Sequence, residues 1–355
     1  MKKITLIAAL LISTGLCLAE TIPATDRRIS CIGRCLPQNT ELSFDWSATT
    51  LRLNFHGSRL ELKCSDTHAD YFNLWIDKEQ CAVPDRVICV KSDTTICLFK
   101  GKKGNHSIIF QKRTEGEQGT FTAKEFSTDG NFLSAPKRKG RLIEFIGDSY
   151  TCGYGTEAPS RDCPFLPETE NPSLTYADIL GRFFDAETVH ISHSGRGIVR
   201  NYDDYNQSEN MVKFYSQTFD QHSEEAWEGG YRADLVVIYL GTNDFSCGKQ
   251  PNINYWCDNY GILLQKVRAF HPGVPVICMA SKADPLMGYY VRRAVEKSGL
   301  DNVHCLALSD KVHNDDSDLG ASWHPNYNGH RKVASVLAPY ISTVMNWEFP
   351  AKILE

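Results

Sequence analysis

The chain has 355 residues, 42% of them hydrophobic and 23% charged, with a formal net charge of -5. That length suits two domains of ordinary size, and the negative balance argues against a general nucleic-acid binder. Beyond the N-terminus no run is long and apolar enough to span a bilayer.

The chain opens Met1-Lys2-Lys3 and stays apolar from Ile4 to Leu18. This is too short for a span and has the charged start of a secretory signal. Cys17-Leu18-Ala19 fits cleavage after Ala19, so residues 1–19 read as a signal peptide and the protein as secreted or periplasmic. Lipid anchoring at Cys17 is the weaker alternative, because Leu16 stands where a small residue is expected. Thirteen cysteines become twelve once Cys17 is removed. In an exported chain that suggests disulfides, with Cys152–Cys163 and Cys247–Cys257 as short loop staples. No CxxC pair occurs and no His-x-x-x-His lies near the cysteines, so no metal site is expected. Cys278 and Cys305, inside apolar strands, read as free thiols.

From about Thr25 to Ala135 short alternating runs follow one another. They are Leu51–Phe55, Leu60–Cys64, Tyr71–Ile76 and Ser107–Phe110, with Gly57-Ser58, Asp77-Lys78 and Lys102-Lys103-Gly104 as punctuation. Period-two runs at this spacing predict an all-β sandwich at residues 25–136. The basic stretch Lys137 to Arg141 reads as a solvated linker.

The pattern then changes. Strands are expected at Arg141–Ile146, Thr188–Ile191, Asp234–Leu240, Val274–Met279 and Val303–Leu308. Helices are expected at Thr175–Phe184, Ile253–Phe270, Tyr289–Ser298 and Asn326–Asn346, with a kink at Pro339. Alternation of this kind predicts an α/β domain with a parallel sheet at residues 140–350.

In such sheets function gathers beyond the carboxyl ends of the strands. The first strand ends Gly147-Asp148-Ser149, the second Ser194-Gly195-Arg196-Gly197 and the third Gly241-Thr242-Asn243-Asp244; Trp323-His324-Pro325 precedes the last helix. A serine hydroxyl needs a neighbouring base to be a nucleophile, and His324 can supply it to Ser149. The oxyanion formed in acyl transfer needs fixed donors. The backbone N–H groups of Ser149 and Gly195 and the Asn243 amide can provide three. Asp148 and Asp244 read as hydrogen-bond partners of their turns. Singly each piece has an ordinary reading as a turn, a helix cap or a surface histidine; together they compose an acyl-transfer site.

These residues resemble the SGNH hydrolases, whose blocks carry Ser, Gly, Asn and His in this order. The stretches Gly147–Gly155, Ser194–Gly197, Leu240–Ser246 and Trp323–Pro325, behind a β-sandwich, are similar to carbohydrate esterase family 2. That resemblance implies a jelly-roll domain fused to an SGNH domain. It implies O-deacetylation of plant-type polysaccharide such as xylan or glucomannan, without metal or cofactor. The expected partner is an acetylated oligo- or polysaccharide.

One departure stands out. The SGNH pattern has Asp three residues before the histidine, and here that position is Ala321. The imidazole must be oriented by Asp318 or by a backbone carbonyl of the Gly320–Ser322 turn. We favour the carbonyl, as in family 2 esterases that resemble this chain in using a Ser–His dyad. Trp323 and Tyr202 are candidates for sugar-binding aromatics, with Trp256 and Trp227 behind them. The competing readings are an esterase for lipid or thioester substrates, and a glycan-binding module whose enzyme half has decayed.

Overall fold

The computed structural model describes residues 19–204, 209–221, 226–246, 248, 250–280, 286–308, 312–313 and 315–355. The signal-like segment, apart from Ala19, lies outside the described residues, as does Cys247. No helix among the described residues is long and apolar enough to cross a membrane.

The first half is antiparallel. Its strands are β1 (Glu20–Pro23), β2 (Ser30–Ile32), β3 (Leu36–Gln38), β4 (Glu41–Phe44), β5 (Thr50–Asp66), β6 (Asp70–Ile76), β7 (Arg86–Val90), β8 (Thr94–Lys112), β9 (Phe121–Thr128) and β10 (Asn131–Phe132). The order is β3-β4-β9-β5-β8-β6-β7, with β1 on β9 and with β2 and β10 on β5. Alternation along β5 buries Leu51, Leu53, Phe55, Leu60, Leu62 and Cys64 in one core with Phe72, Phe110 and Phe126, as period two requires. The runs Leu51–Phe55 and Leu60–Cys64 are therefore one strand, and Gly57-Ser58 is not a turn. Gly57 pairs with Gly104 on β8 and a bulge follows, which bends the strand without ending it. The Asp129 carboxylate accepts the N–H groups of Ser58 (2.7 Å) and Arg59 (3.1 Å) at that bulge.

The second half holds a five-stranded parallel sheet in the order β12-β11-β13-β14-β15. Its strands are β11 (Leu142–Gly147), β12 (Glu187–Ser192), β13 (Leu235–Tyr239), β14 (Val276–Ala280) and β15 (Val303–Ala307). The helices are α1 (Ser149–Cys152), α2 (Tyr176–Phe184), α3 (Met211–Phe214), α4 (Ile253–Phe270), α5 (Met287–Ser298) and α6 (Tyr327–Met345). Ile146, Val236, Ile238 and Cys278 pack with Leu263, Leu264 and Val291 of α4 and α5. Ile143, Phe145, Val237 and Ile277 pack with Ile179, Leu180, Val333 and Leu337 of α2 and α6 on the other face. Helix α6 runs through Pro339 as one element. Ser335, whose carbonyl the proline cannot serve, is exposed, so the missing bond leaves no buried acceptor.

Strand order reverses at β11, which lies between β12 and β13. The loops leaving these three strands therefore meet at one edge, where ligands bind in open α/β sheets. The halves lock together through buried polar contacts. Arg34 donates to the carbonyls of Tyr215 (2.6 Å) and Gln217 (2.7 Å), and the Trp46 indole to Thr218 O (2.9 Å). The linker is mostly exposed, with Arg138 paired to Glu187 at 2.6 Å.

The expected Cys152–Cys163 staple does not form: both are free thiols, and Cys152 is buried against Ser192 Oγ (3.3 Å). Among the described residues a disulfide joins Cys31 and Cys35. Cys278 and Cys305 are free thiols on neighbouring strands.

Candidate active site

Ser149 opens α1 directly after β11. Gly147 makes the close turn possible, since a Cβ there would collide with Thr151 Oγ1. Asp148 caps the helix, its carboxylate accepting the Tyr150 N–H at 3.2 Å. Burial pushes the Asp148 carboxyl up to about 7.

His324 Nε2 lies 2.9 Å from Ser149 Oγ, and His324 Nδ1 lies 3.0 Å from the Ser322 carbonyl oxygen. A carbonyl only accepts, so Nδ1 carries the proton and Nε2 is free to accept from the serine. The imidazole pKa is lowered by burial, against the opposing pull of the Ser322 and Ala321 carbonyls. The ring is flanked by Tyr154 (centroids 4.4 Å apart, tilted) and Tyr150 (5.5 Å, T-shaped).

Asp318 does not orient His324. It ends a short 3-10 turn, and its buried carboxylate pairs with Lys332 Nζ of α6 at 2.5 Å. The Ser322 carbonyl takes that place because Ser322 and Trp323 both adopt left-handed backbone, with φ of 50° and 64°. This turn is tied to a neighbouring loop: Ser322 N–H donates to Cys163 O (3.1 Å) and Trp323 N–H to Arg161 O (3.3 Å).

The three candidate oxyanion donors lie on loops that are hydrogen-bonded to one another. Asn243 Nδ2 donates to Arg196 O at 2.9 Å, and its other contact, to Asp148 Oδ2, is long at 3.4 Å. One amide hydrogen fixes the side chain while the second is weakly held and can serve an oxyanion. Among the described residues neither the Ser149 nor the Gly195 N–H has an acceptor. Gly195 has a φ of +79°, which favours glycine. The Asp244 carboxylate accepts the N–H groups of Ile198 (2.9 Å), Val199 (2.8 Å) and Arg200 (3.1 Å), binding the Gly195 loop to the Asn243 loop.

Trp323 is 58% exposed and Tyr202 66% exposed, so both present rings to solvent. Arg161 stacks over Trp323 at 4.0 Å, and Tyr202 N–H donates to Gly195 O at 2.7 Å. Tyr202 lines a cleft of about 360 Å³ together with Gly195, Arg196, Glu117 and His193. Trp256 and Trp227 are buried and offer no sugar platform.

The sequence did not single out Glu115, His193 or Asp220. His193 Nδ1 meets the Asp220 carboxylate at 2.6 Å, and Asp220 also pairs with Arg196. His193 directly precedes the Ser194–Gly197 block; Glu115 sits in the other half of the chain, with no signal tying it to this site. Glu115, Cys152 and Glu170 form the one group of described residues able to hold a metal ion. All three are already hydrogen-bond partners: Glu170 of the Glu115 N–H, and Cys152 of Ser192 and Glu115.

The family model described as GDSL-like Lipase/Acylhydrolase matches residues 145–332, and that described as Carbohydrate esterase 2 N-terminal matches residues 31–136. The chain is 30% identical over 315 residues to the cellulase/esterase CelE of Acetivibrio thermocellus, covering 85% of this chain and 38% of that protein's length. It is 28% identical over 359 residues to an acetylxylan esterase / glucomannan deacetylase of Cellvibrio japonicus, covering 95% and 96% of the two chains. Its fold is similar to that of a family two carbohydrate esterase from Clostridium thermocellum solved in complex with cellohexaose. The TM-score is 0.82 and the identity 29%, covering 90% of this chain and 100% of that one.

Proposed function

The chain belongs to the GDSL-like lipase/acylhydrolase family, with a carbohydrate esterase 2 N-terminal domain ahead of it, and we propose that it is a serine esterase removing O-acetyl groups from carbohydrate. The observation that carries this is the Ser149 hydroxyl held 2.9 Å from an imidazole whose other nitrogen is pinned to a carbonyl. In this reading His324 Nε2 takes the hydroxyl proton as Ser149 Oγ attacks the acetyl carbonyl. The oxyanion is met by the N–H groups of Ser149 and Gly195 and by the Asn243 amide. The imidazolium, its Nδ1–H donated to Ser322 O, returns the proton to the leaving sugar oxygen. Water, deprotonated by the same nitrogen, then attacks the acyl carbonyl; the bond to Ser149 Oγ breaks, the serine takes the proton back from His324 and acetate leaves. No metal or cofactor enters these steps.

We take plant polysaccharide, xylan or glucomannan, as the substrate, in keeping with the similarity to the acetylxylan esterase / glucomannan deacetylase of Cellvibrio japonicus. Trp323 and Tyr202 would receive sugar faces beside the acetyl site. We read residues 25–136 as a jelly-roll sandwich, residues 140–350 as the esterase domain and residues 1–19 as a signal that exports the protein. The test is acetate release from acetylated xylan and acetylated glucomannan by wild type and Ser149→Ala. Release that vanishes in the variant is expected. Cleavage of 4-nitrophenyl acetate with no release from either polymer would sink the polysaccharide assignment, and no cleavage of any of the three would favour a binding module.

A further inference from the structure

We infer that Glu115 is a positioning residue for the oxyanion site, so that the N-terminal domain holds part of the esterase machinery; the inference rests on the serine-esterase reading above. Glu115 follows β8, at the start of a short 3-10 turn, and is buried. One carboxylate oxygen, Oε2, accepts the backbone N–H of Ser194 at 2.6 Å. Ser194 immediately precedes Gly195, so this bond fixes the peptide adjoining the one that carries the Gly195 N–H. The same oxygen accepts the Cys152 thiol at 3.7 Å and lies 3.6 Å from His193 Nδ1. Cys152 belongs to α1, the helix that Ser149 opens. One atom of the other domain thus touches both segments whose backbone N–H groups face the oxyanion.

The carboxylate is itself held in place. Glu115 N–H donates to Glu170 Oε2 at 3.2 Å, and Glu115 O accepts from Lys112 Nζ at 3.1 Å. A Cβ on the next residue, Gly116, would stand 2.6 Å from Asp220 Cβ, so the turn lies flush against the segment that pairs with His193 and Arg196. Charge-assisted acceptance by a buried carboxylate is roughly twice as strong as a neutral hydrogen bond. It suits the task of holding a glycine loop, which has little stiffness of its own.

The experiment measures kcat and KM for 4-nitrophenyl acetate, with the melting temperature, for wild type, Glu115→Ala, Glu115→Gln and Ser149→Ala. Removing a whole oxyanion donor costs about 100- to 1000-fold, so loss of its support in Glu115→Ala is expected to lower kcat about 30-fold with KM within about twofold. Glu115→Gln, whose carbonyl can still accept from Ser194 N–H, is expected to stay within about fivefold of wild type. If the alanine variant does not fold, Glu115→Asp, which withdraws the carboxylate by one methylene, carries the same expectation as alanine. A kcat near wild type for the alanine or aspartate variant, a loss confined to KM, or a glutamine variant as impaired as alanine would overturn the inference. Activity surviving in Ser149→Ala would overturn the esterase reading itself, so the two failures are distinguishable.

Discussion

The Ser322 carbonyl has no proton to give, so the hydrogen bond it shares with His324 Nδ1 is donated by the ring. A carboxylate would do the same and add charge; here Asp318 spends its charge on Lys332. Asp318→Ala is therefore expected to keep kcat within about tenfold of wild type, whereas loss of a working triad carboxylate costs about a thousandfold or more. In the proposed mechanism Asn243→Ala removes an oxyanion donor, and kcat is expected to fall about 100- to 1000-fold with the fold intact. In that mechanism His324 can act as base only when neutral. Burial lowers its pKa, so the neutral form persists below the ordinary imidazole value. The acid limb of kcat/KM for 4-nitrophenyl acetate is expected to have its midpoint below 6.5, and a midpoint above that would contradict the geometry.

Among the elements, the turn before α6 places two consecutive non-glycine residues in left-handed backbone. Left-handed backbone in a residue with a Cβ costs about 1–2 kcal/mol, and Ser322 and Trp323 both adopt it. The pairing of Ser322 with Cys163 O and Trp323 with Arg161 O holds the turn in place. Ser322→Pro would force φ to about -65° and delete one of those donors. It is expected to lower kcat about a hundredfold while the chain still folds, because the carbonyl then leaves Nδ1; circular dichroism with the kinetics checks this. Sequence alone could single out Ser149, Gly195, Asn243 and His324 as candidates because each follows a strand or precedes a helix, and period and punctuation mark such boundaries. It left the orienting group open between Asp318 and a carbonyl, since backbone dihedrals of ordinary residues leave no trace in residue type. It also split β5 at Gly57-Ser58, where a bulge and a turn use the same residues. Glu115 was illegible for a third reason: its partners belong to the other half of the chain, and single-sequence patterns report only local order.

At the scale of the whole molecule, the buried seam between the halves governs stability. Arg34 lies among Trp46, Tyr215, Trp227 and Phe270, and its guanidinium serves two carbonyls. Arg34→Ala leaves both unpaired at about 1–3 kcal/mol each, so a loss of about 3 kcal/mol in unfolding free energy is expected from denaturant titration. The same seam and the site behind it set the response to pH. Burial, with Asp220 adding to it, pushes the Asp45 carboxyl up to about 7, and burial pushes Asp148 up to about 7. Glu170, buried beside Glu115, is raised well above the ordinary carboxylate range. A carboxyl whose folded pKa is raised binds more protons folded than unfolded, so its contribution falls as pH climbs from the unfolded value through the folded one. His193 acts in the same direction above 6.5: burial opposes protonation, but Asp220 and Glu115 prevail and raise its pKa, so its stabilisation is lost as pH rises through that value. The neutral buried histidines, His313, His324 and His330, work the other way, but only below 6.5, where the unfolded chain would protonate them. Above pH 6.5 the opposing histidines fade as the unfolded imidazoles lose their protons, while the carboxyls of Asp45, Asp148 and Glu170 and His193 act together. The melting temperature is expected to be lower at pH 8 than at pH 6.5, and Asp45→Asn, which keeps the shape without the charge, to flatten that slope. A melting temperature that rises across this interval would mean the seam carboxyls are ionised in the folded protein.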